Sequence, residues 1–358
     1  MPLPRARLAA PLVTALLGLG AGQLSGEPSP TPPSAVLPRL VSEGHAPAAA
    51  MLADSPTASR FQAAGPGIGR ADRFRAGSVT KTFIATVVLQ LAAEGRLHLD
   101  DPVGRHLPGL VPAGAARNVT LRALLTHTSG LPDYTAHGDG RSPTAGTAAR
   151  EAVHRVMDDP PGPLGRYAYS NTNYVLLGLV IERVTRHPYA AEAHRRIITP
   201  LRLKGTSFPG SRSALPAPHG GAYDAAGRDV TVFDPRTADA AGELISTLDD
   251  LNRFYAALLT GRLLPPPQLR ALLDTRPTHG VYALGIYPHT LSCGTTVWGH
   301  NGRVPGGYVR SATTGDGRRT VTFRVNTDAV PVDTLATLEP ALLEAEFCGA
   351  APPRAGAR

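Results

Sequence analysis

The chain has 358 residues, 42% hydrophobic and 18% charged, which excludes a disordered protein and suits two domains or one domain with an insertion. Its net charge of +8 arises from 36 basic and 28 acidic residues, and every basic residue except Lys81 and Lys204 is an arginine. Because these arginines are scattered and aromatic residues reach only 5%, nucleic acid is disfavoured as a partner, and the arginine excess is attributed to a GC-rich genome.

The N-terminus has the pattern of an export signal. Arg5 and Arg7 precede an uncharged apolar run at 8–19, and small residues follow, which is typical of a secretory signal peptide over residues 1–25. This run is too short for a membrane span, so no stable membrane insertion is expected after cleavage, with an uncleaved anchor as the alternative. Several prolines then indicate a stiff linker over residues 26–36. We therefore expect a secreted protein.

Strand patterns lie at both ends of the remaining chain and helical patterns lie between them. Strands at 46–54 and 60–64 are expected to pair as a hairpin, and further β-rich runs lie at 281–286, 295–298, 307–312 and 320–326. Helices are predicted at 79–93, 121–125, 148–157, 174–185, 189–198, 246–259 and 332–346. This order predicts an α/β fold of the α+β type. An antiparallel sheet flanked by helices would comprise residues 37–100 and 236–350, with an all-helical domain inserted at 101–235.

Cys293 and Cys348 lie 55 residues apart in a chain expected to be exported, where disulfides persist. We predict a disulfide that attaches the C-terminal helix to the rest of the fold; the alternatives are two buried free thiols or a metal pair. Two cysteines without a nearby histidine pair make a poor zinc site, and the twelve histidines show no ligand spacing. No metal site is therefore expected.

The first motif, Gly77-Ser78-Val79-Thr80-Lys81, lies at the start of the strongest predicted helix. A spacing of three puts Lys81 on the same helix face as Ser78, so its amine can reach the serine hydroxyl. Burial would lower the pKa of Lys81 and let it activate Ser78 as a nucleophile. Taken alone, the motif also fits a helix cap followed by a solvated lysine. Lysine in an arginine-rich chain favours a function that needs a removable proton.

The second motif, Tyr169-Ser170-Asn171, precedes an apolar helix. A phenol beside a cation can pass a proton to a leaving group, and an amide can hold a substrate carbonyl. Taken alone, the segment also fits a polar loop that caps the next helix.

The third motif, Trp298-Gly299-His300-Asn301-Gly302-Arg303, follows a predicted strand. Gly302 would let the strand backbone approach a ligand closely and would leave the next N–H to stabilise an oxyanion. Taken alone, His300 also fits a hydrogen-bonded strand histidine.

Together the three motifs resemble the serine β-lactamase and DD-peptidase superfamily, in the branch of class C β-lactamases, serine D,D-carboxypeptidases and related esterases. The Ser-x-x-Lys, Tyr-x-Asn and His-x-Gly elements occur here in the family order. The stretches at 99–103, 124–131 (Leu-Leu-Thr-His-Thr-Ser-Gly-Leu) and 241–251 are also similar to it. The resemblance extends over residues 37–348, and the cysteine positions match those of the secreted D-alanyl-D-alanine carboxypeptidases.

The resemblance implies roles for particular residues. Ser78 would be the acylated nucleophile, and Lys81 and Tyr169 would share general-base and general-acid work as a coupled pair. Backbone N–H groups of Ser78 and Arg303 would form the oxyanion hole. Substrate binding would involve Asn171, His300, Asn301, Gly302 and Arg303. No metal or organic cofactor is implied.

The chain departs from the carboxypeptidase pattern in one region. The carboxypeptidases bind the terminal carboxylate of the substrate through an arginine shortly before the first cysteine, whereas residues 286–289 here are Ile-Tyr-Pro-His. Asn301 and Arg303 also stand where threonines are expected. We hypothesise that Arg303 binds the carboxylate as a guanidinium fork; the alternative is that carboxylate recognition is lost.

The sequence thus predicts a secreted, monomeric serine hydrolase with an acyl-enzyme on Ser78, foremost a D-alanyl-D-alanine carboxypeptidase. Small peptides, esters or β-lactams are the expected substrates. An esterase, a D-amino-acid amidase or a class C-like β-lactamase is the alternative among enzymes, and a non-catalytic penicillin-binding protein is the alternative from another class. The lack of a Gly-x-Ser-x-Gly motif disfavours an α/β-hydrolase.

Overall fold

The structure is a computed structural model that describes residues 33–136 and 148–349. The predicted signal peptide lies outside the described residues, as does most of the predicted linker. The last four residues of that linker, Pro33–Val36, form a short helix in which Val36 is buried. Within the described ranges, no helix combines the length and the apolar character needed to cross a membrane.

The strands of the described residues run in chain order as β1 (Ala49–Asp54), β2 (Ser59–Ala64), β3 (Phe74–Arg75), β4 (Ile245–Ser246), β5 (Tyr287–Thr290), β6 (Thr296–Val304), β7 (Gly307–Thr314) and β8 (Thr320–Val325). Six of them form one antiparallel sheet in the order β2-β1-β8-β7-β6-β5, and β3 pairs with β4. The predicted N-terminal hairpin is confirmed, with Ala49 opposite Ala64 and Asp54 opposite Ser59. The antiparallel sheet of the predicted fold class is likewise confirmed.

The helices of the described residues surround this sheet. In chain order they are α1 (Pro33–Val36), α2 (Arg39–Ser42), α3 (Thr80–Ala93), α4 (Val103–His106), α5 (Ala113–Asn118), α6 (Leu121–Leu125), α7 (Ala149–Val156), α8 (Thr172–Thr185), α9 (Tyr189–Ala193), α10 (Thr199–Leu201), α11 (Leu248–Leu259), α12 (Pro266–Leu272) and α13 (Val332–Phe347). A π-helical turn, His194–Ile198, joins α9 to α10. The α11 helix begins after Thr247, whose side chain caps it by accepting a hydrogen bond from the N–H of Asp250.

Side chains alternate along the strands and so project from both faces of the sheet, and a hydrophobic core covers each face. In β1, Ala50 and Leu52 belong to a large core that also contains α3, α8 and α11. Ala49 and Met51 face a second core, which is closed by α13. The predicted disulfide is present: Cys293 and Cys348 are bonded with 5.8 Å between their Cα atoms, which attaches the end of α13 to the turn between β5 and β6.

The prediction of a strand at 281–286 is wrong. Gly285 has φ of +76°, which interrupts an extended conformation, and these residues form a loop that leads into β5. β5 itself contains Pro288, which an edge strand tolerates because one side of it makes no sheet hydrogen bonds. The strand β6 also extends further than predicted, so the third motif lies inside it.

Helices α4–α10 lie within the predicted insertion at 101–235. Between 101 and 234 the described residues contain isolated bridges and no extended strand. The division into a sheet domain and a helical domain stays a prediction.

Candidate active site

Ser78 lies in a single 3-10 turn, Gly77–Val79, that leads directly into α3. Gly77 has φ of +51°, and a Cβ atom there would lie 2.9 Å from the backbone nitrogen of Arg303. A Cβ atom at Gly302 would lie 2.0 Å from the carbonyl oxygen of Ala76. The two glycines therefore let β6 run against the turn. This contact brings the backbone of Arg303 next to that of Ser78, which an oxyanion hole formed by their N–H groups requires.

Lys81, the second residue of α3, is completely buried. Its Nζ lies 2.9 Å from Ser78 Oγ, 2.8 Å from Asn171 Oδ1 and 2.7 Å from the carbonyl oxygen of Ala241. Burial lowers the pKa of Lys81 to about 7, although the negative charge of Asp133 acts in the opposite direction. The amide and backbone oxygens can only accept hydrogen bonds. In a neutral amine both N–H groups would therefore be donated to these two oxygens, leaving the lone pair for the Ser78 hydroxyl.

Tyr169, in the segment just before α8, contacts the same serine. Its hydroxyl donates a hydrogen bond of 2.9 Å to Ser78 Oγ, and its ring centroid lies 5.0 Å from Lys81 Nζ. Burial raises the pKa of the Tyr169 hydroxyl, so this group stays protonated at neutral pH. Ser78 can thus donate its proton to Lys81 while accepting a hydrogen bond from Tyr169.

Asp133 fixes the orientation of the Asn171 amide. The side-chain nitrogen of Asn171 donates to Asp133 Oδ2 at 3.3 Å and to Thr135 Oγ1 at 3.1 Å, and its backbone N–H donates to Asp133 Oδ1 at 3.2 Å. These donors leave Oδ1 as the amide atom that faces Lys81. Sequence reasoning missed Asp133; its only signal was an acidic residue just beyond the similar stretch at 124–131.

His300 lies behind the site rather than at its surface. Its side chain is 1% exposed, its Nδ1 lies 2.5 Å from the carbonyl oxygen of Asn301, and its Nε2 lies 2.8 Å from the Tyr282 hydroxyl. Since a carbonyl only accepts, Nδ1 carries the proton and Nε2 accepts from Tyr282. Burial and the charge of Lys81 lower the pKa of His300 to about 3, so the ring is neutral.

The side chain of Asn301 donates to the Tyr308 hydroxyl at 3.2 Å. The structure therefore brings Gly302 and the Arg303 backbone to Ser78, whereas the side chains of His300 and Asn301 are directed into other contacts. Tyr282, which holds His300, had no signal in the sequence beyond its place in an apolar run.

A cleft of about 350 Å³ opens above Ser78 and Asn171. One part of its wall is apolar and includes Phe233, Val304 and Pro305, whereas Arg303 supplies a positive charge. Arg303 is exposed, and its guanidinium lies 5.7 Å from the ring centroid of Tyr308. Among the residues that the structure describes, no carboxylate forms an ion pair with Arg303. The cleft thus combines an apolar surface with an uncompensated cation.

A serine that contacts a buried lysine and a tyrosine, in the turn that begins a helix packed beside an antiparallel sheet, defines a class of serine hydrolases that use no histidine base. The Beta-lactamase family model matches residues 39–340. The chain belongs to this family, the serine hydrolases related to β-lactamases and penicillin-binding proteins.

Two solved structures are similar over nearly the whole described fold. A D-stereospecific amidohydrolase from Streptomyces sp. is 39% identical, with a TM-score of 0.81 over 89% of this chain and 98% of that one. The D-amino acid amidase from Ochrobactrum anthropi SV3, in complex with L-phenylalanine amide, is 26% identical, with a TM-score of 0.75 over 87% of this chain and 97% of that one.

Curated relatives are similar over shorter regions. Penicillin-binding protein 4 from Amycolatopsis lactamdurans is 34% identical over 188 residues, which cover 51% of this chain and 49% of that protein. The chain spans between 28% and 58% of the length of curated relatives that it matches.

Proposed function

We propose that the chain is a D-stereospecific amidohydrolase that forms an acyl-enzyme on Ser78. The observation that carries this proposal is the pair of 2.9 Å contacts from Lys81 Nζ and the Tyr169 hydroxyl to Ser78 Oγ. They give the nucleophile a base and a proton donor at once. Burial of Lys81 makes a neutral amine available near pH 7.

The chemistry follows from these contacts. Neutral Lys81 takes the hydroxyl proton as Ser78 Oγ bonds to the substrate carbonyl carbon, and the carbonyl oxygen becomes an oxyanion facing the N–H groups of Ser78 and Arg303. When the carbon–nitrogen bond breaks, the Tyr169 hydroxyl gives its proton to the leaving nitrogen and is reprotonated from Lys81. Water then attacks the acyl-enzyme along the reverse path and releases the acid.

Preference for a D-configured amide is proposed from the similarity to the Streptomyces amidohydrolase and the Ochrobactrum amidase. The apolar surface of Phe233, Val304 and Pro305 would receive the substrate side chain. Export is proposed from the signal-like residues 1–25 and is supported by the disulfide, which suits an oxidising compartment.

A D-alanyl-D-alanine carboxypeptidase is the second candidate, and one specific observation favours it. Arg303 lines the cleft, is exposed, and has no carboxylate partner among the described residues. A guanidinium so placed would bind the terminal carboxylate of a peptide in two hydrogen bonds. An amino-acid amide offers no such group.

The distinguishing experiment measures kcat/KM for D-phenylalanine amide and for a D-alanyl-D-alanine peptide, each against its L-counterpart. In parallel, the protein is incubated with benzylpenicillin and its intact mass is followed to detect acylation. We expect a Ser78 adduct and a preference for D-configured substrate of about 10²-fold in kcat/KM. In Arg303→Ala, a loss of kcat/KM confined to the peptide would favour the carboxypeptidase.

Ser78→Ala is the matched control and must lack both adduct and turnover. Rapid penicillin hydrolysis without an adduct would instead indicate a β-lactamase. Equal turnover of D- and L-amides would contradict the proposed stereospecificity.

A further inference from the structure

His127, in the Leu-Leu-Thr-His-Thr-Ser-Gly-Leu stretch, is a buried histidine that the proposed chemistry does not use. Its side chain is fully buried just beyond α6, and its backbone has φ of +57°, an uncommon value for a residue with a Cβ atom. A backbone held in this region must be stabilised by surrounding contacts. Several of the contacts of His127 are with Tyr169 and the residues on either side of it.

His127 accepts hydrogen bonds from the backbone N–H groups of the residues on both sides of Tyr169. The carbonyl oxygen of His127 accepts from the N–H of Ala168 at 2.8 Å, and its Nδ1 accepts from the N–H of Ser170 at 3.2 Å. Nδ1 also lies 3.2 Å from the side-chain nitrogen of Asn173 on α8. A single residue thus fixes the backbone from which the Tyr169 side chain extends.

The imidazole of His127 also packs on the Tyr169 ring. Their centroids lie 4.2 Å apart with 31° between the planes, and the rings of Tyr282 and Tyr174 lie at 4.9 Å and 5.2 Å from the imidazole. Because Nδ1 accepts from a backbone N–H, the proton of the neutral ring is on Nε2. Nε2 is buried without a hydrogen-bond partner among the described residues, so packing rather than solvent holds this side of the ring.

We propose that His127 is a positioning residue that keeps the Tyr169 hydroxyl on Ser78 Oγ; this inference rests on the proposed function. Tyr169 makes its 2.9 Å contact with Ser78 at the far end of its side chain, so a small rotation of the backbone moves the hydroxyl out of hydrogen-bond reach. Misplacement of a reacting group by about 1 Å can cost a factor of about 10² in rate.

The neutral state of His127 belongs to this arrangement. Burial, together with the positive charge of Lys81, keeps the pKa of His127 well below its usual value. Across the working pH range the ring therefore accepts from Ser170 and adds no charge beside Lys81.

Two variants separate the two contacts of His127. His127→Asn keeps an acceptor near the position of Nδ1 and tolerates positive φ, but it loses the ring packed on Tyr169. His127→Leu keeps apolar bulk and loses the acceptor for Ser170. His106→Asn is the matched control, because His106 is also buried and hydrogen-bonded, to Asp101, on α4.

The measurements are the acylation rate by benzylpenicillin, kcat and KM with D-phenylalanine amide, and Tm. We expect His127→Leu to acylate about 10²-fold more slowly with KM within about threefold of wild type, and His127→Asn to retain more of the rate. His106→Asn should lower Tm without slowing acylation. A folded His127→Leu, or a folded His127→Asn if Leu fails to fold, with the wild-type acylation rate and pH profile would overturn the positioning role.

If Ser78 forms no acyl-enzyme, the step on which the proposed function depends, the result is different, because wild type itself then gives no adduct. The positioning role is still decided in that case by a crystal structure of His127→Leu or His127→Asn. A hydroxyl displaced beyond hydrogen-bond distance from Ser78 supports it, and an unchanged contact rejects it.

Discussion

Lys81 links the chemistry of the site to the stability of the fold. Its folded-state pKa of about 7 lies below the ordinary lysine value of 10.5, because the buried ammonium has lost its water. Between these two pH values the unfolded chain binds more protons at Lys81 than the folded chain does. This residue therefore contributes a stability that rises with pH across that window and that is lowest below pH 7.

The pH dependence of catalysis has the same origin. Below pH 7 the lone pair of Lys81 is protonated and cannot accept the Ser78 proton, so kcat/KM should rise with pH around an apparent pKa near 7. Pre-steady-state acylation of Ser78 between pH 5 and 9 measures this directly. Lys81→Arg should lose the rise, since guanidinium does not deprotonate in this range. A flat wild-type profile would exclude Lys81 as the titrating base.

Replacement of Lys81 by an apolar residue should separate activity from stability. Lys81→Met removes the base and should lower kcat/KM by about 10²–10⁴-fold. It also removes a buried charge, so the free energy of unfolding at pH 7 should increase. Urea denaturation at pH 7 and pH 10 measures this increase in the free energy of unfolding. The increase should be smaller at pH 10, because Lys81 is then uncharged in the folded wild type. A destabilised Lys81→Met at pH 7 would contradict this account.

Ser78 and Lys81 could be predicted from the sequence because their geometry is local: three residues along one helix bring their side chains together. Tyr169 was found through the resemblance of three motifs taken together. Asp133 could not be identified in this way, because its role depends on the fold bringing it to Asn171 from 38 residues away.

At the scale of elements, β6 and the turn before α3 form the site by close backbone contact. Gly302 makes this contact possible, since a Cβ atom there would lie 2.0 Å from the carbonyl oxygen of Ala76. The position of β6 was predicted only in part. Its β-branched start at 295–298 has a strand pattern, whereas its end is rich in glycine and polar residues and is extended because it pairs with β7.

Gly302→Ala should therefore separate β6 from Ser78. We expect acylation of Ser78 to fall by about 10²–10³-fold, the size of effect expected for loss of one oxyanion-hole donor. Gly307→Ala is the matched control in the neighbouring strand, because a Cβ atom there has its nearest contact at 3.7 Å. Burst kinetics with a chromogenic ester or β-lactam measure both. A folded Gly302→Ala variant that is acylated at the wild-type rate would show that the close approach of β6 is not needed for acylation.

At the scale of the whole molecule, a hydrophobic core packs on each face of the sheet. The core that contains α3 lies on one face, and α13 covers the core on the other face. The placement of α13 depends on contacts between distant parts of the chain. The sequence predicts the helix from its local pattern and the disulfide from the expected export of the chain, but not the network around α13. That network includes the Ser292 hydroxyl and N–H, which both donate to Glu344.

Loss of the disulfide should lower stability without changing the chemistry at Ser78. The bond closes a loop of 55 residues, so in the loop-entropy model its removal costs about 4 kcal/mol. Cys293→Ser and Cys348→Ser should show similar losses in urea denaturation, and the double variant should lose no more than either one. Since Ser292 still binds Glu344, α13 should remain docked and kcat/KM at 25 °C should stay within about twofold of wild type. A loss of activity in the folded variants would instead mean that the disulfide controls the position of β6, which starts three residues after Cys293.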